Sequence, residues 1–65
     1  MKYYSTQRPV APGAFPKPDG NKVVQIVNFD ERQYCEEAGR GCWGYIEYEK
    51  PLTEKQAADY ELVRE

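Results

Sequence analysis

The sequence predicts a small α+β domain, in which an antiparallel sheet of about three strands carries two short helices on one face, beside a Pro-rich loop. Three observations support this prediction. The 65 residues suit one domain. Stretches rich in β-branched and aromatic residues are typical of strands. Two further stretches begin with a helix-capping signature. We therefore expect a single domain over residues 1–65, with the Pro- and Gly-rich loop over 7–21.

The first strand and the loop occupy the N-terminal third. Residues 2–6, KYYST, carry adjacent tyrosines and a threonine, which favour a strand. The prolines at positions 9, 12, 16 and 18 exclude a helix or a central strand from the next segment. Asp19-Gly20 is a turn signal that ends this loop.

Two later segments form the clearest strands, and both have two apolar faces. In residues 22–28, KVVQIVN, alternation places valine or isoleucine on both sides. In residues 42–49, CWGYIEYE, Trp43 and Tyr45 alternate with Ile46 and Tyr48. Gly41 and Gly44 leave room for a close approach of the neighbouring backbone.

The first helix is predicted over residues 31–38. Asp30 has the features of an N-cap, Gln33 stands at the third helical position, and Gly39 suits the end of a helix.

The second helix is predicted over residues 54–60. Thr53 and Gln56 repeat the same capping pattern, and residues 61–63 are expected to be extended or frayed. Because two short helices can shield only one side of a sheet, the other apolar side needs a second cover. The Pro-rich loop with Val10 and Phe15 is one candidate, and a second copy of the chain or another protein is the other.

Charge is divided unequally along the chain. Residues 1–29 hold four basic residues and one acidic residue, whereas residues 30–65 hold five basic and ten acidic residues. An acidic half favours a basic protein surface over a phosphate backbone. The hydrophobic fraction of 40% and the aromatic fraction of 14% argue against a disordered chain.

Enzyme activity is not expected, and neither is a cofactor or a metal. Without histidine the usual general base is missing, and two cysteines cannot assemble a four-ligand zinc site. Cys35 and Cys42 are expected to pack as small apolar residues. No apolar segment approaches the length of a signal sequence core or a membrane span, so the chain is expected to be cytoplasmic, with no membrane partner.

The predicted function is a non-catalytic interaction module that binds a protein partner or itself as a homodimer. An alternative is a single-stranded nucleic-acid-binding module, in which sheet tyrosines stack on bases and N-terminal basic residues contact phosphates. Nucleic acid is the less favoured partner, since glutamates rather than lysines alternate with the tyrosines of residues 45–49. Arg8 opens a PxxP pattern, RPVAP, of the kind that docks in aromatic grooves. The interaction candidates are Tyr3, Tyr4, Arg8, Trp43, Tyr45, Glu47 and Tyr48. For Trp43 and at least one of these tyrosines, packing in the core is the alternative role.

The segments YYSTQRPVAPGAFPK, VNFDERQY and GYIEYEKPLTEKQAADYELV resemble a family of small uncharacterised proteins encoded on conjugative and other mobile elements of Gram-positive gut bacteria. Similar segments occur as modules associated with large polyvalent proteins of such elements. The resemblance covers most of the chain and is most specific over residues 43–62. It implies a cytoplasmic accessory of a mobile element, acting against host defences or on transfer machinery, and it supplies no reaction and no catalytic residues.

Overall fold

The computed structural model describes residues 1–11, 13 and 15–65. Over these residues it contains a four-stranded antiparallel sheet and one short helix. The elements are β1 (Lys2–Ser5), β2 (Val23–Cys35), β3 (Arg40–Tyr48), α1 (Glu54–Asp59) and β4 (Leu62–Arg64). The strands lie in the order β2-β3-β1-β4, so that β2 and β4 are the edges.

The prediction of about three strands with two helices is wrong. Residues 31–35, where the first helix was expected, continue β2, and residues 36–39 form the turn of a long hairpin with β3. The turn fits the helix-like sequence pattern because it contains one hydrogen bond of the helical type: the backbone N–H of Gly39 donates to the carbonyl of Cys35 at 2.9 Å. Gly39 adopts a φ of 70°, which ends such a turn as readily as it ends a helix. Pairing with β3 therefore outweighs the capping signal at Asp30, which is worth only about 1 kcal/mol.

The second predicted helix is confirmed and is one residue shorter than expected. Thr53 caps α1: its hydroxyl accepts from the backbone N–H of Gln56 at 3.1 Å, and the Gln56 side chain accepts from the N–H of Thr53 at 2.9 Å. The chain then turns through Glu61, which has a φ of 56°, and returns as β4. This fourth strand pairs with β1, opposite Tyr3, Tyr4 and Ser5.

The main hydrophobic core lies under α1 and the Pro-rich segment. Tyr3 and Ile46 are directly opposite each other in β1 and β3, so they share this face. The Tyr3 and Tyr48 rings meet edge to face, with centroids 6.0 Å apart. The buried members of this core are Tyr3, Val10, Ile46, Tyr48, Leu52 and Leu62, and Met1, Phe15, Ala57 and Tyr60 pack against them. The helix and the described residues of the Pro-rich segment thus pack on the same face, and neither core cluster places a described residue of the segment on the opposite face.

A second, smaller core lies at the distal end of the β2–β3 hairpin. Its buried members are Tyr4, Cys35 and Cys42, and Phe29, Ala38 and Tyr45 pack against them. Both cysteines are free thiols in buried positions. In the part of the chain that the structure describes, no helix has the length and apolar character needed to cross a membrane.

Candidate interaction surface

Three of the predicted site residues are buried in the cores. Tyr3, Tyr4 and Tyr48 expose only 2%, 4% and 1% of their surface. The hydroxyl of Tyr3 accepts from the backbone N–H of Leu52 at 2.8 Å, while that of Tyr48 donates to the Pro16 carbonyl at 2.6 Å. These bonds fasten the segment before α1 and the Pro-rich segment onto the sheet. Burial leaves the three side chains little surface with which to bind another molecule.

Burial also raises the pKa of the two tyrosines Tyr4 and Tyr48 to about 12, from an ordinary value of 10.0. The negative charges of Glu37 and Glu65 add to the effect on Tyr4. The pKa of the Cys42 thiol is raised from 9.0 to about 11 by burial and by the neighbouring Cys35. At neutral pH this thiol is therefore protonated, which makes it a poor nucleophile.

These shifts predict a loss of stability in alkali. Because the folded chain holds these protons more tightly than the unfolded chain, the stabilisation is complete below pH 9 and is lost as the pH rises through 9 to 12. We expect the free energy of unfolding, measured by urea titration and far-UV circular dichroism, to decline from about pH 9 upward. Tyr48→Phe should make the decline above pH 10 shallower. An unchanged free energy up to pH 11 would contradict the assignment.

Arg8 lies at the start of the Pro-rich segment and is engaged within the chain. Its guanidinium forms an ion pair with the carboxylate of Glu61, the turn residue before β4. The backbone carbonyl of Glu61 also accepts from the hydroxyl of Thr6 at 3.0 Å. Both charged side chains are substantially exposed, so the pair contributes little to stability.

The remaining predicted residues share one side of the sheet. Along β3 buried and half-buried residues alternate, which places Trp43, Tyr45 and Glu47 together on the half-exposed side. Gln25 and Lys2 both lie opposite Glu47 in the neighbouring strands, so they share this side. We call the surface formed by these five residues the open face.

Tyr45 is the centre of the open face, and its neighbours hold its ring. The ring lies against that of Tyr4, with centroids 5.6 Å apart. Its hydroxyl accepts from the side-chain amide of Gln25 at 2.8 Å. The Lys2 ammonium lies 4.8 Å from the ring centroid, within range of a cation–π interaction. The open face therefore presents a fixed, half-exposed aromatic ring between a basic and an acidic side chain.

A second exposed surface follows β2, and the sequence analysis did not predict it. Val24 is 56% exposed, Ile26 41% and Val23 38%. We call the outer side of β2 with these three residues the β2 edge. The sequence shows that the strand is apolar on both faces, but it does not show that the strand lies at the margin of the sheet.

Asn28 of β2 ties the Pro-rich segment to the sheet, and the sequence analysis missed this role as well. Its side-chain oxygen accepts from the backbone N–H of Val10 at 2.8 Å, and its side-chain amide donates to the Val10 carbonyl at 2.7 Å. The sequence signal for this role is Gly44. It lies opposite Asn28 in β3, and its missing side chain leaves the space that Asn28 fills.

A shallow cavity beside α1 offers little chemistry. It has a volume of about 250 Å³ and is lined by Tyr3, Leu52, Thr53, Glu54, Ala57 and Arg64. This is smaller than typical ligand pockets, which measure about 300–1,000 Å³. Among the described residues, no three side chains of the metal-binding types come close enough together to hold an ion. The open face and the β2 edge are therefore the surfaces on which a functional proposal can rest.

Comparison with protein families gives one match over the full length. The family described as Defence against restriction A C-terminal matches residues 1–65. No curated protein and no solved structure matches the chain. The match supports the part of the sequence-based resemblance that concerns mobile elements and defence. The gut-bacterial hosts and the association with polyvalent proteins stay predictions.

Proposed function

The chain belongs to the Defence against restriction A C-terminal family, and from this premise we propose that it is a non-catalytic module that binds a protein through its open face. The family relates the chain to defence against restriction on mobile elements. The proposed role of the module is to recruit or to block a protein in that process.

The observation that carries this proposal is the pair of half-exposed aromatic residues, Trp43 and Tyr45, side by side on β3. Neither α1 nor the described part of the Pro-rich segment covers them, since both pack on the opposite face. Aromatic residues with low conformational entropy are the commonest anchors of protein interfaces. Lys2 and Glu47 beside them supply charges of both signs, which suits a protein surface better than a phosphate backbone.

The chemistry of the titratable groups supports a non-catalytic role. The Cys42 thiol is buried and protonated at neutral pH, and the buried tyrosine hydroxyls of Tyr3 and Tyr48 are engaged with backbone groups. Glu47 lies on a half-exposed strand face rather than in an enclosed pocket. The nucleic-acid alternative uses Tyr3, Tyr4 and Tyr45 for stacking on bases, and burial of Tyr3 and Tyr4 leaves only Tyr45 of the three partly exposed.

A DNA-entry assay tests the proposal. Unmodified plasmid is introduced into a restricting strain and into its non-restricting parent, each producing the chain. The quantity measured is the number of transformants in the restricting strain divided by the number in its parent. We expect the wild-type chain to raise this ratio above that of the same strains without the chain. Trp43→Ser and Tyr45→Ser should each reduce the gain by about tenfold or more, as loss of an interface anchor does.

The matched control removes a pair of neighbouring carboxylates outside the open face and keeps the size of both side chains. Glu36→Gln combined with Glu37→Gln, in the exposed turn between β2 and β3, should retain the gain if no acid–base step is involved. Circular dichroism must show that every variant is folded. Loss of the gain in the glutamine variant, together with full activity of both serine variants, would contradict a non-catalytic module that acts through the open face.

A further inference from the structure

We propose that the β2 edge pairs with the β2 edge of a second copy of this chain, antiparallel and about a two-fold axis at Ile26. The two four-stranded sheets would then join into one continuous sheet. This inference concerns a different surface from the open face, and it goes beyond the proposed function.

β2 is an edge strand of 13 residues, and its apolar residues Val23, Val24 and Ile26 face solvent. Proteins normally protect long apolar edges with charges, prolines or a covering element, since such edges readily pair with other strands. The Pro-rich segment touches β2 through Val10 at Asn28 but leaves these three residues exposed.

The backbone N–H and carbonyl of Ile26 point outward from the sheet. The N–H of Tyr48 donates to Met1 beside β1, whereas the N–H of Glu49 donates to Lys22 beside β2. Alternate residues of β3 therefore bond to opposite neighbours, and Ile46 bonds to β1 like Tyr48. Ile26 lies opposite Ile46, so its own N–H and carbonyl point away from the sheet. Two copies with their Ile26 residues opposite each other would form two N–H···O=C bonds.

The regular part of β2 around Ile26 is short. Register irregularities between Val23 and Gln25 and between Asn28 and Gln33 divide β2 into two regular stretches, residues 25–28 and residues 33–35, and Ile26 lies in the first. Four residues are as many as β1 contains, and β1 is paired on both sides. The irregularities limit the length over which two copies can pair in regular register, which favours a defined dimer over continued strand addition.

Charge complementarity selects both a second copy of the chain as the partner and the register of pairing. An axis at Ile26 brings Lys22 of each copy, which precedes the regular stretch 25–28, towards Asp30 of the other copy, which follows it, so the attraction occurs twice. An axis at Val27 would place Lys22 opposite Arg32. Lys22 and Asp30 are both exposed, and neither forms an ion pair within the described residues. The strand is therefore complementary to a second copy of itself.

Charge reversal combined with sedimentation equilibrium tests this pairing. The mass of the wild-type chain should rise from one chain towards two between concentrations of about 1 μM and about 1 mM. Lys22→Glu and Asp30→Lys should each weaken association about tenfold, because like charges then face each other at two places. An equimolar mixture of the two variants should recover wild-type association, since each reversed charge meets its opposite in the other chain.

Lys17→Glu and Glu54→Lys are the matched controls, because they make the same charge changes outside β2 and should leave the association unchanged. A chain that stays monomeric at every concentration overturns the proposal. Association that is unchanged by Lys22→Glu and Asp30→Lys overturns it as well. So does an equimolar mixture of the two variants that associates no more strongly than either variant alone. Lys22 and Asp30 lie outside the open face, so these outcomes are distinct from those of the DNA-entry assay.

Discussion

Gly44→Ala should destabilise the chain by about 3 kcal/mol, the upper range for overpacking. A β-carbon at Gly44 would collide with the backbone carbonyl oxygen of Val27 and would lie 2.9 Å from both Cα and Oδ1 of Asn28. These atoms belong to the paired strand β2, so they cannot move away without disturbing the β2–β3 ladder. A chain of this size has a total stability of only about 3–10 kcal/mol. Urea unfolding followed by circular dichroism measures the loss.

Gly41→Ala is the matched control on the same strand. A β-carbon there would lie 2.8 Å from Cζ of Arg32, the far end of a flexible and exposed side chain. The guanidinium can swing aside, so we expect a cost below about 1 kcal/mol. Equal costs at the two glycines would show that the loss does not come from the collision with the backbone of β2 at Val27 and Asn28.

Asn28→Ala should cost about 3 kcal/mol. The substitution removes both side-chain bonds to Val10, whose residue surface is only 5% exposed. It leaves a backbone N–H and a carbonyl without partners, and each such group costs about 1–3 kcal/mol when it is buried. The Pro-rich segment should also detach locally, so limited proteolysis within residues 7–21 should accelerate more than global unfolding does.

Asn21→Ala provides the control for this bond pattern. Asn21 also bonds both backbone groups of one residue: its oxygen accepts from the N–H of Lys50 at 2.8 Å, and its amide donates to the Lys50 carbonyl at 2.9 Å. Because that pair is exposed, water can replace the lost bonds, and we expect a cost below about 1 kcal/mol. If Asn21→Ala proved as damaging as Asn28→Ala, burial of Val10 would not be the cause.

The two helix predictions show where local signals suffice. Asp30–Gln33 and Thr53–Gln56 have the same capping pattern, yet only the second begins a helix. Residues 54–59 pair with no strand of the described chain, so the capping bonds decide their conformation. After Asp30 the chain can return along β3 through the turn at 36–39, and that pairing is stronger. A capping signature does not reveal a competing strand that lies ten residues further on.

The tyrosines of the candidate site show the same limit: a local sequence pattern does not predict which side chains are buried. Adjacent tyrosines in a strand point to opposite faces, and Tyr3 and Tyr4 were both predicted as interaction candidates. Both are buried, because β1 lies between β3 and β4 and each ring meets a tyrosine of β3. That central position depends on pairing with residues 62–64, almost the whole chain length away. Trp43, Tyr45 and Glu47 lie together on the open face as the alternation of β3 predicted.

By itself the sequence determined what depends on neighbours along the chain: the helix that Thr53 caps, the alternation within β3 and the exclusion of regular structure by four prolines. Tertiary structure alone decided the strand order, the side on which the Pro-rich segment packs and the exposure of β2. The physical reason is that capping and alternation are energies of a few adjacent residues. Strand order, in contrast, balances the closure entropy of long loops against contacts that exist only once distant segments have met.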